Sequence, residues 1–435
     1  MQQPAALLFC FFTFWINTVF CQATTNSREL KVNQQRMENR IFELAKFGRD
    51  SAGRGYRVAY TKGDIESRNW FIGLMKTAGL EVTIDYAGNI IGRRKGKNPS
   101  LKPIAFGSHI DMVPDGGNYD GCLGSVGALE IIEVLKENKV VTEHPLEVII
   151  FSNEEGGTIG SLAMAGHLTT ADLKQVSQGR VTVGDGIKSI GGNPDSIGHV
   201  ARKKGDIKAY LELHIEQGGI LEKEQINIGV VQGIVGIVDM EVIVDGFANH
   251  AGTTPMNLRK DALLAAAEFI IEAHKVINSY EGKQVGNIGR ISALPGAYNV
   301  VPGKVVLSLE IRDLSSEKIW KIFHDIEKKA AAIAAASGTT ITFQPPANQV
   351  QPALTDQALQ AKIVAAAKKS GFTTKLMQSG AGHDAQEMAL IGPVGMIFVP
   401  SIGGISHSPK EFTKPADMAN GATVLLQTIL AIDKE

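Results

Sequence analysis

Short apolar runs alternating with longer amphipathic stretches constrain this chain more than any other feature. Strand-like runs occupy Glu81–Tyr86, Asn89–Arg93, Ile104–Ser108 and Leu146–Ser152, and a helical stretch from about Ser125 to Lys139 separates the last two. Upstream, Met37, Ile41, Leu44 and Phe47 recur at helical spacing within residues 33–47, and residues 64–79 read as a second helix that Gly79 ends. Strands alternating with helices in this way predict an α/β domain built on a mixed, mainly parallel sheet. Ligands of such sheets collect beyond the carboxyl ends of the strands.

The pattern changes at Gly233-Ile234-Val235-Gly236. A strand (Val238–Val244), a helix (Asp261–Ile277), two strands (Val285–Ala293 and Lys304–Ile311), a helix (Ser315–Ala335) and a strand (Thr339–Phe343) follow. That order, βαββαβ, is ferredoxin-like. Pro345, Pro346 and Pro352 mark the return, and the remainder completes the first sheet. The expected division is therefore a leader at 1–21, a first part of the larger domain at 27–232, an inserted domain at 233–346, and a second part of the larger domain at 347–435.

Charge narrows the function. Forty-four Lys and Arg face 45 Asp and Glu, without the basic excess of a general nucleic-acid binder or a polybasic membrane-surface protein. Small-molecule chemistry is the better expectation. Ala5 to Phe20 is almost wholly apolar, short for a spanning helix, and runs into Cys21-Gln22-Ala23-Thr24. It reads as a cleaved signal peptide of a periplasmic or secreted protein, with a retained N-terminal anchor as the alternative. Removal of the leader leaves Cys122 alone, so no internal disulfide forms and any metal must be held by His and carboxylates.

Five places set His or carboxylate beside glycines at or near strand ends: Gly107-Ser108-His109-Ile110-Asp111, Gly116 to Gly121 with Asp120, Ser152-Asn153-Glu154-Glu155-Gly156, Glu212 to Gly218 with His214, and Gly403 to Pro409 with His407. Taken singly each is ordinary, since a strand-end His is more often a structural hydrogen-bonding residue and Asp-Gly is usually a turn. Glu154-Glu155, however, ends a run that looks buried, a costly place for two negative charges unless a cation offsets them. Three His and two carboxylates can hold two divalent ions if one carboxylate bridges them. Two ions about 3.5–4 Å apart polarise a carbonyl and acidify water, and a further unligated Glu would then shuttle the proton.

The motifs GSHID, GGNYDG, NEEG, ELHIEQG, NHAGTTPM (249–256), IRD (311–313), SGAGHDA (379–385) and PSIGGISHSP (400–409) occur in that order. From about residue 35 to the C-terminus the chain resembles the carbamoylase/allantoate amidohydrolase branch of the co-catalytic di-zinc aminoacylase and carboxypeptidase superfamily. The resemblance implies that His109, Asp120 (bridging), Glu155, His214 and His407 hold two Zn2+, with Mn2+, Co2+ or Ni2+ as alternatives. It further implies Glu154 as general base and then acid, and Asp111 as the carboxylate that orients a ligand His. The larger domain would be the catalytic di-metal domain and the insertion its lid and dimerisation domain. Gln217 would contact the ureido group, His250 in the lid would stabilise the oxyanion, Asn299 and Arg312 would grip the substrate carboxylate, and Gly382 and His383 would complete the pocket. Relatives commonly continue the paired Glu with Gly-Ser-Arg-Phe, whereas this chain has Gly156-Gly157-Thr158-Ile159-Gly160 and lacks that Arg.

The implied reaction is hydrolysis of the carbamoyl C–N bond of an N-carbamoyl-L-amino acid or related ureido acid by a homodimer joined through the lid. Competing readings are an allantoate or ureidoglycolate amidohydrolase, a dipeptidase or aminoacylase, and a non-catalytic metal- or solute-binding protein. Gln217 argues against the dipeptidase, and the spare Glu154 against the non-catalytic protein.

Overall fold

A computed structural model describes Met1, residues 30–345 and residues 348–435. The expected leader, beyond Met1, lies outside the described residues. Among them no helix is long and apolar enough to cross a membrane.

Six strands come first: β1 Glu81–Ile84, β2 Ile90–Arg94, β3 Ile104–His109, β4 Leu146–Phe151, β5 Ala209–Ile215 and β6 Ile228–Ile234. Eight lie in the insertion: β7 Gly236–Asp245, β8 Asn249–His250, β9 Val285–Asn287, β10 Ile291–Leu294, β11 Val300–Val301, β12 Lys304–Asp313, β13 Thr340–Phe343 and β14 Asn348–Val350. The chain returns through β15 Ala353–Leu354, β16 Thr374–Ser379 and β17 Val394–Val399.

The larger sheet runs β1-β2-β4-β3-β5-β17-β6-β15, with β16 also on β6. Its centre, β4-β3-β5-β17, is parallel, and the flanking pairs β1–β2, β2–β4 and β17–β6 are antiparallel. Every residue of the four central strands is buried, as continuous apolar strands covered on both faces must be. One face packs under Ile41, Leu123, Leu129, Ile363 and Leu425 from four helices. The other packs under Met164, Ala385 and Met388. Parallel alignment sends the carboxyl ends of β3, β4, β5 and β17 to one edge, which fixes where the chemistry can be.

The insertion is a six-stranded sheet, β10-β12-β7-β13 with β9 on β12 and β14 on β7, covered by the helices Ala262–Ser279 and Ser316–Ser337. Burial alternates residue by residue along β7 and β12, the period of a sheet with one covered face. Val242, Val244, Leu307 and Leu309 pack there on Phe269, Ile322 and Phe323. The run Val285–Ala293, expected as one strand, is two. Asn287 pairs Glu310 while Ile291 pairs Leu307, so one strand advances four residues against three. That extra residue is a β-bulge, set by the partner strand and invisible in local sequence. Only Val235 separates β6 from β7, and only Gln351-Pro352 separates β14 from β15; these two connectors join the domains.

Candidate metal centre

The ligand-type side chains sit where the parallel strands end. His109 is the last residue of β3, His214 lies one residue from the end of β5, Glu154 and Glu155 follow β4, and His407 lies in the loop after β17. Asp120 precedes the helix Cys122–Glu137, and Gly121 (φ +62°) turns the chain into that helix. A Cβ on Gly121 would fall 2.2 Å from His109 Nε2, so this turn against the imidazole needs glycine.

Asp120 is the hub. Its Oδ1 is 3.0 Å from His214 Nε2 and 3.8 Å from His109 Nε2, and its Oδ2 is 3.1 Å from His407 Nε2. Glu155 lies 3.5 Å from His407 Nε2 and Glu154 3.6 Å from His109 Nε2. Two ligand groups result, His109–Asp120–His214 and Asp120–Glu155–His407, each with its donor atoms within 4.8 Å of one another and sharing Asp120. Glu154 is left outside both. A third grouping, Glu212–His214–His383, is less available. Glu212 already accepts from Ser108 Oγ (2.8 Å), Ala385 N (3.0 Å) and Tyr210 OH (3.3 Å), and His383 Nε2 is 2.8 Å from Ser379 Oγ.

The donor set fits divalent cations. Buried carboxylates crowd together, and beside Asp120 the buried Gln217 Oε1 has no hydrogen-bond partner, an arrangement that is costly without positive charge. Oxygen and imidazole donors suit Zn2+ and its first-row neighbours. Burial pushes Glu154 well above the usual carboxylate range and, with Asp120 adding repulsion, pushes Glu155 up to about 7. The hydrogen bond to Asp120 raises His407 to about 9. Burial drives His383 well below the ordinary imidazole value, leaving it neutral.

Neighbours orient this set. Asp111 accepts from the Glu154 and Glu155 amides (3.3 and 3.2 Å) and lies 3.6 Å from His109 Nδ1, so one carboxylate spans the β3 and β4 loops. His214 Nδ1 is 2.9 Å from the Ile215 carbonyl, which places the proton on Nδ1 and frees Nε2 as a ligand. Asn153, Gln217 and His407 hold positive φ without being glycine, strain of the kind that concentrates at functional loops.

Of the residues implied for the substrate, Gln217 and His383 join the cluster. Gln217 Nε2 donates to Asp120 Oδ2 at 2.7 Å, and His383 packs edge-on to His214 at 4.5 Å. Gly382 is the residue before His383. His250 and Asn299 stand apart, exposed on the lid ribbon of β8 and β11, where Ala251 N donates to Asn299 O. His250 Nδ1 accepts from the Gly252 and Thr253 amides at 3.0 and 3.2 Å, so the neutral ring carries its proton on Nε2, as a donor must. Arg312 is paired with Glu310 on its own strand (2.7 and 2.9 Å) and donates to Gly380 O across the domain boundary. After the paired Glu, the Gly157 and Thr158 amides fold back onto Glu154 O in a tight turn.

Sequence reasoning missed Glu411 and Arg57. Glu411, nearly fully buried, accepts from the Tyr119 and Asp120 amides (2.8 and 3.1 Å) and from Ser406 Oγ (2.9 Å), and Ser406 Oγ also donates to Asp120. It holds the Asp120 and His407 loops together. Arg57 is fully buried and donates to Ile110 O and Leu44 O, with Cys122 Sγ at 3.1 Å. An acid four residues after His407 was the one available hint for Glu411.

Known proteins share this fold and much of this sequence. The N-carbamoyl-L-amino acid amidohydrolase of Geobacillus stearothermophilus is 37% identical over 403 residues, covering 92% of this chain and 98% of the relative. The ureidoglycolate hydrolase of Arabidopsis thaliana is 37% identical over 412 residues, covering 92% and 87%. The crystal structure of an amidase of the hydantoinase/carbamoylase family from Burkholderia multivorans superposes with a TM-score of 0.87 at 33% identity, covering 93% and 99%. The profile of peptidase family M20/M25/M40 matches residues 105–431, a span that contains every ligand-type residue of the cluster. The chain thus belongs to peptidase family M20/M25/M40, within the branch of the hydantoinase/carbamoylase amidases, and is a hydrolase.

Proposed function

We propose that the chain cleaves the carbamoyl C–N bond of N-carbamoyl-L-amino acids or related ureido acids, with His109, Asp120, Glu155, His214 and His407 holding two divalent ions, Zn2+ foremost and Mn2+, Co2+ or Ni2+ as alternatives. The observation that carries this reading is a pair of ligand groups sharing Asp120, with Glu154 beside them and outside both. When bound, the ions supply Lewis-acid polarisation of the ureido carbonyl and acidify water. Glu154, kept basic by its buried setting, takes the proton of the attacking water and delivers it to the leaving nitrogen. The free amine and a carbamate leave, and the carbamate decays to carbon dioxide and ammonia. Gln217, held at Asp120 with its carbonyl oxygen free, accepts from the ureido NH2. The Arg312 guanidinium binds the substrate carboxylate with Asn299.

His250 and Asn299 reach this centre from a second subunit. Edge strand β10 bears exposed Ile291 and Leu294, and the neighbouring lid helix bears exposed Leu264 and Ile271. An apolar edge of this kind supports a homodimer through the lid. The leader directs export and is removed.

A second reading keeps the chemistry and changes the pocket. The Arabidopsis relative is named a ureidoglycolate hydrolase at the same identity as the Geobacillus enzyme. Ammonia release from N-carbamoyl-L-amino acids, allantoate and ureidoglycolate, and release of free amino acids from dipeptides, each with and without Zn2+ or Mn2+, decide. Turnover of carbamoyl amino acids is expected; cleavage of dipeptides alone refutes the proposal.

A further inference from the structure

The two connectors between the domains cross side by side. A Cβ on Gly236 would fall 2.7 Å from the Pro352 ring, so each strand is confined by the other. One side chain reaches both. Gln386, buried in the helix Asp384–Met388, directs its amide Nε2 at the Val235 carbonyl (3.3 Å) and the Gln351 carbonyl (2.6 Å). An amide nitrogen has two hydrogens, and here each connector takes one.

The segment that carries Gln386 also touches the site. Val235 N donates to Ser379 O, Ser379 Oγ meets His383 Nε2 at 2.8 Å, and Gln386 N donates to His383 O at 2.9 Å. Gly380 O accepts from Arg312 of the lid, and Gln378 Nε2 donates to the lid's Lys283 O. On the lid side, Ser316 Oγ holds the Gln351 side chain at 2.8 Å. Residues 378–386 therefore link the connectors, the lid and the imidazole packed on His214 through an unbroken set of hydrogen bonds.

We propose that Gln386 is a positioning residue that sets the orientation of the lid over the metal centre and couples it to His383. Its two bonds fall on the backbone groups about which the domains must rotate. Loss of the amide takes the donor from the carbonyl of buried Val235 and from that of Gln351 and frees the connectors to swing. The kinetic consequence rests on the proposed substrate roles of His383 and Arg312; the mechanical consequence does not.

The test uses the metal-loaded chain with spin labels on cysteines placed at exposed Lys62 of the larger domain and Lys328 of the lid, and measures their distance distribution with and without an N-carbamoyl amino acid. In Gln386→Met the distribution broadens and no longer narrows on addition of the ligand. Its kcat and KM change together, with kcat/KM down about 10-fold, the equivalent of two modest hydrogen bonds, and metal content unchanged. Gln386→Asn, one methylene shorter, loses at least one carbonyl and gives the same broadening to a smaller extent, which serves if the Met variant does not fold. An unaltered distribution in either folded variant, or kinetics within twofold of the parent at full metal content, overturns the proposal. Failure of every ureido substrate would sink the functional reading and leave the distance result standing.

Discussion

Replacing Glu411 with Ala removes the carboxylate that joins the Asp120 and His407 loops. The buried amides of Tyr119 and Asp120 lose their acceptor, and Ser406 Oγ keeps only Asp120. Each orphaned buried donor costs about 1–3 kcal/mol. Part of that is offset because burial, aided by Asp120, already raises the Glu411 pKa and makes its ionised form costly. A net loss of roughly 3 kcal/mol is left. Asp120 is shared by both ligand groups, so the loss falls on metal binding, where removal of an orienting partner weakens affinity about 10- to 100-fold. Titration of zinc against a chromogenic chelator reads this directly, with circular dichroism as the check on folding. Glu411→Gln retains an acceptor for both amides and lies between Ala and the parent. A folded Glu411→Ala protein with parental zinc affinity refutes the reasoning.

Glu154→Gln keeps both ligand groups and removes the proton carrier, so kcat falls about 10^2- to 10^4-fold with metal content unchanged; turnover at the parental rate removes Glu154 from the mechanism. In the metal-free protein His407 (about 9) and Glu155 (about 7) are both raised above their ordinary values, so they add stability at low pH that is lost as pH rises through those values. Ions need the unprotonated forms, so zinc binding at pH 7 releases protons and tightens up to about pH 9, read by calorimetry in buffers of different ionisation enthalpy; no release contradicts the assignment. Mixed dimers of His250→Ala with Glu154→Gln chains regain activity if the lid imidazole serves the partner's site, whereas inactive mixtures place it in its own.

The grouping of Asp120 and His407 with His109, Glu155 and His214 as ligands came with the resemblance, each motif being ordinary by itself. In local sequence, the strand ends at His109, Glu155 and His214 were legible because apolar runs there meet glycines. Glu411 was not: its partner Tyr119 is 292 positions away, and only the assembled sheet brings β3 and β17 near enough for one carboxylate to serve both loops. Gln386 is similar, its meaning residing in two connectors that cross because the lid is inserted. The β9–β10 bulge is set by pairing with β12. The place of His250 and Asn299 on an exposed ribbon depends on domain geometry, which strand periodicity does not encode.

The central claim is that two cations share Asp120. Anomalous diffraction at the zinc edge from zinc-loaded crystals measures it most directly. Two peaks about 3.5–4 Å apart on either side of Asp120 are predicted, one toward His109 and His214 and one toward Glu155 and His407. A single peak, or peaks bound away from Asp120, would contradict it.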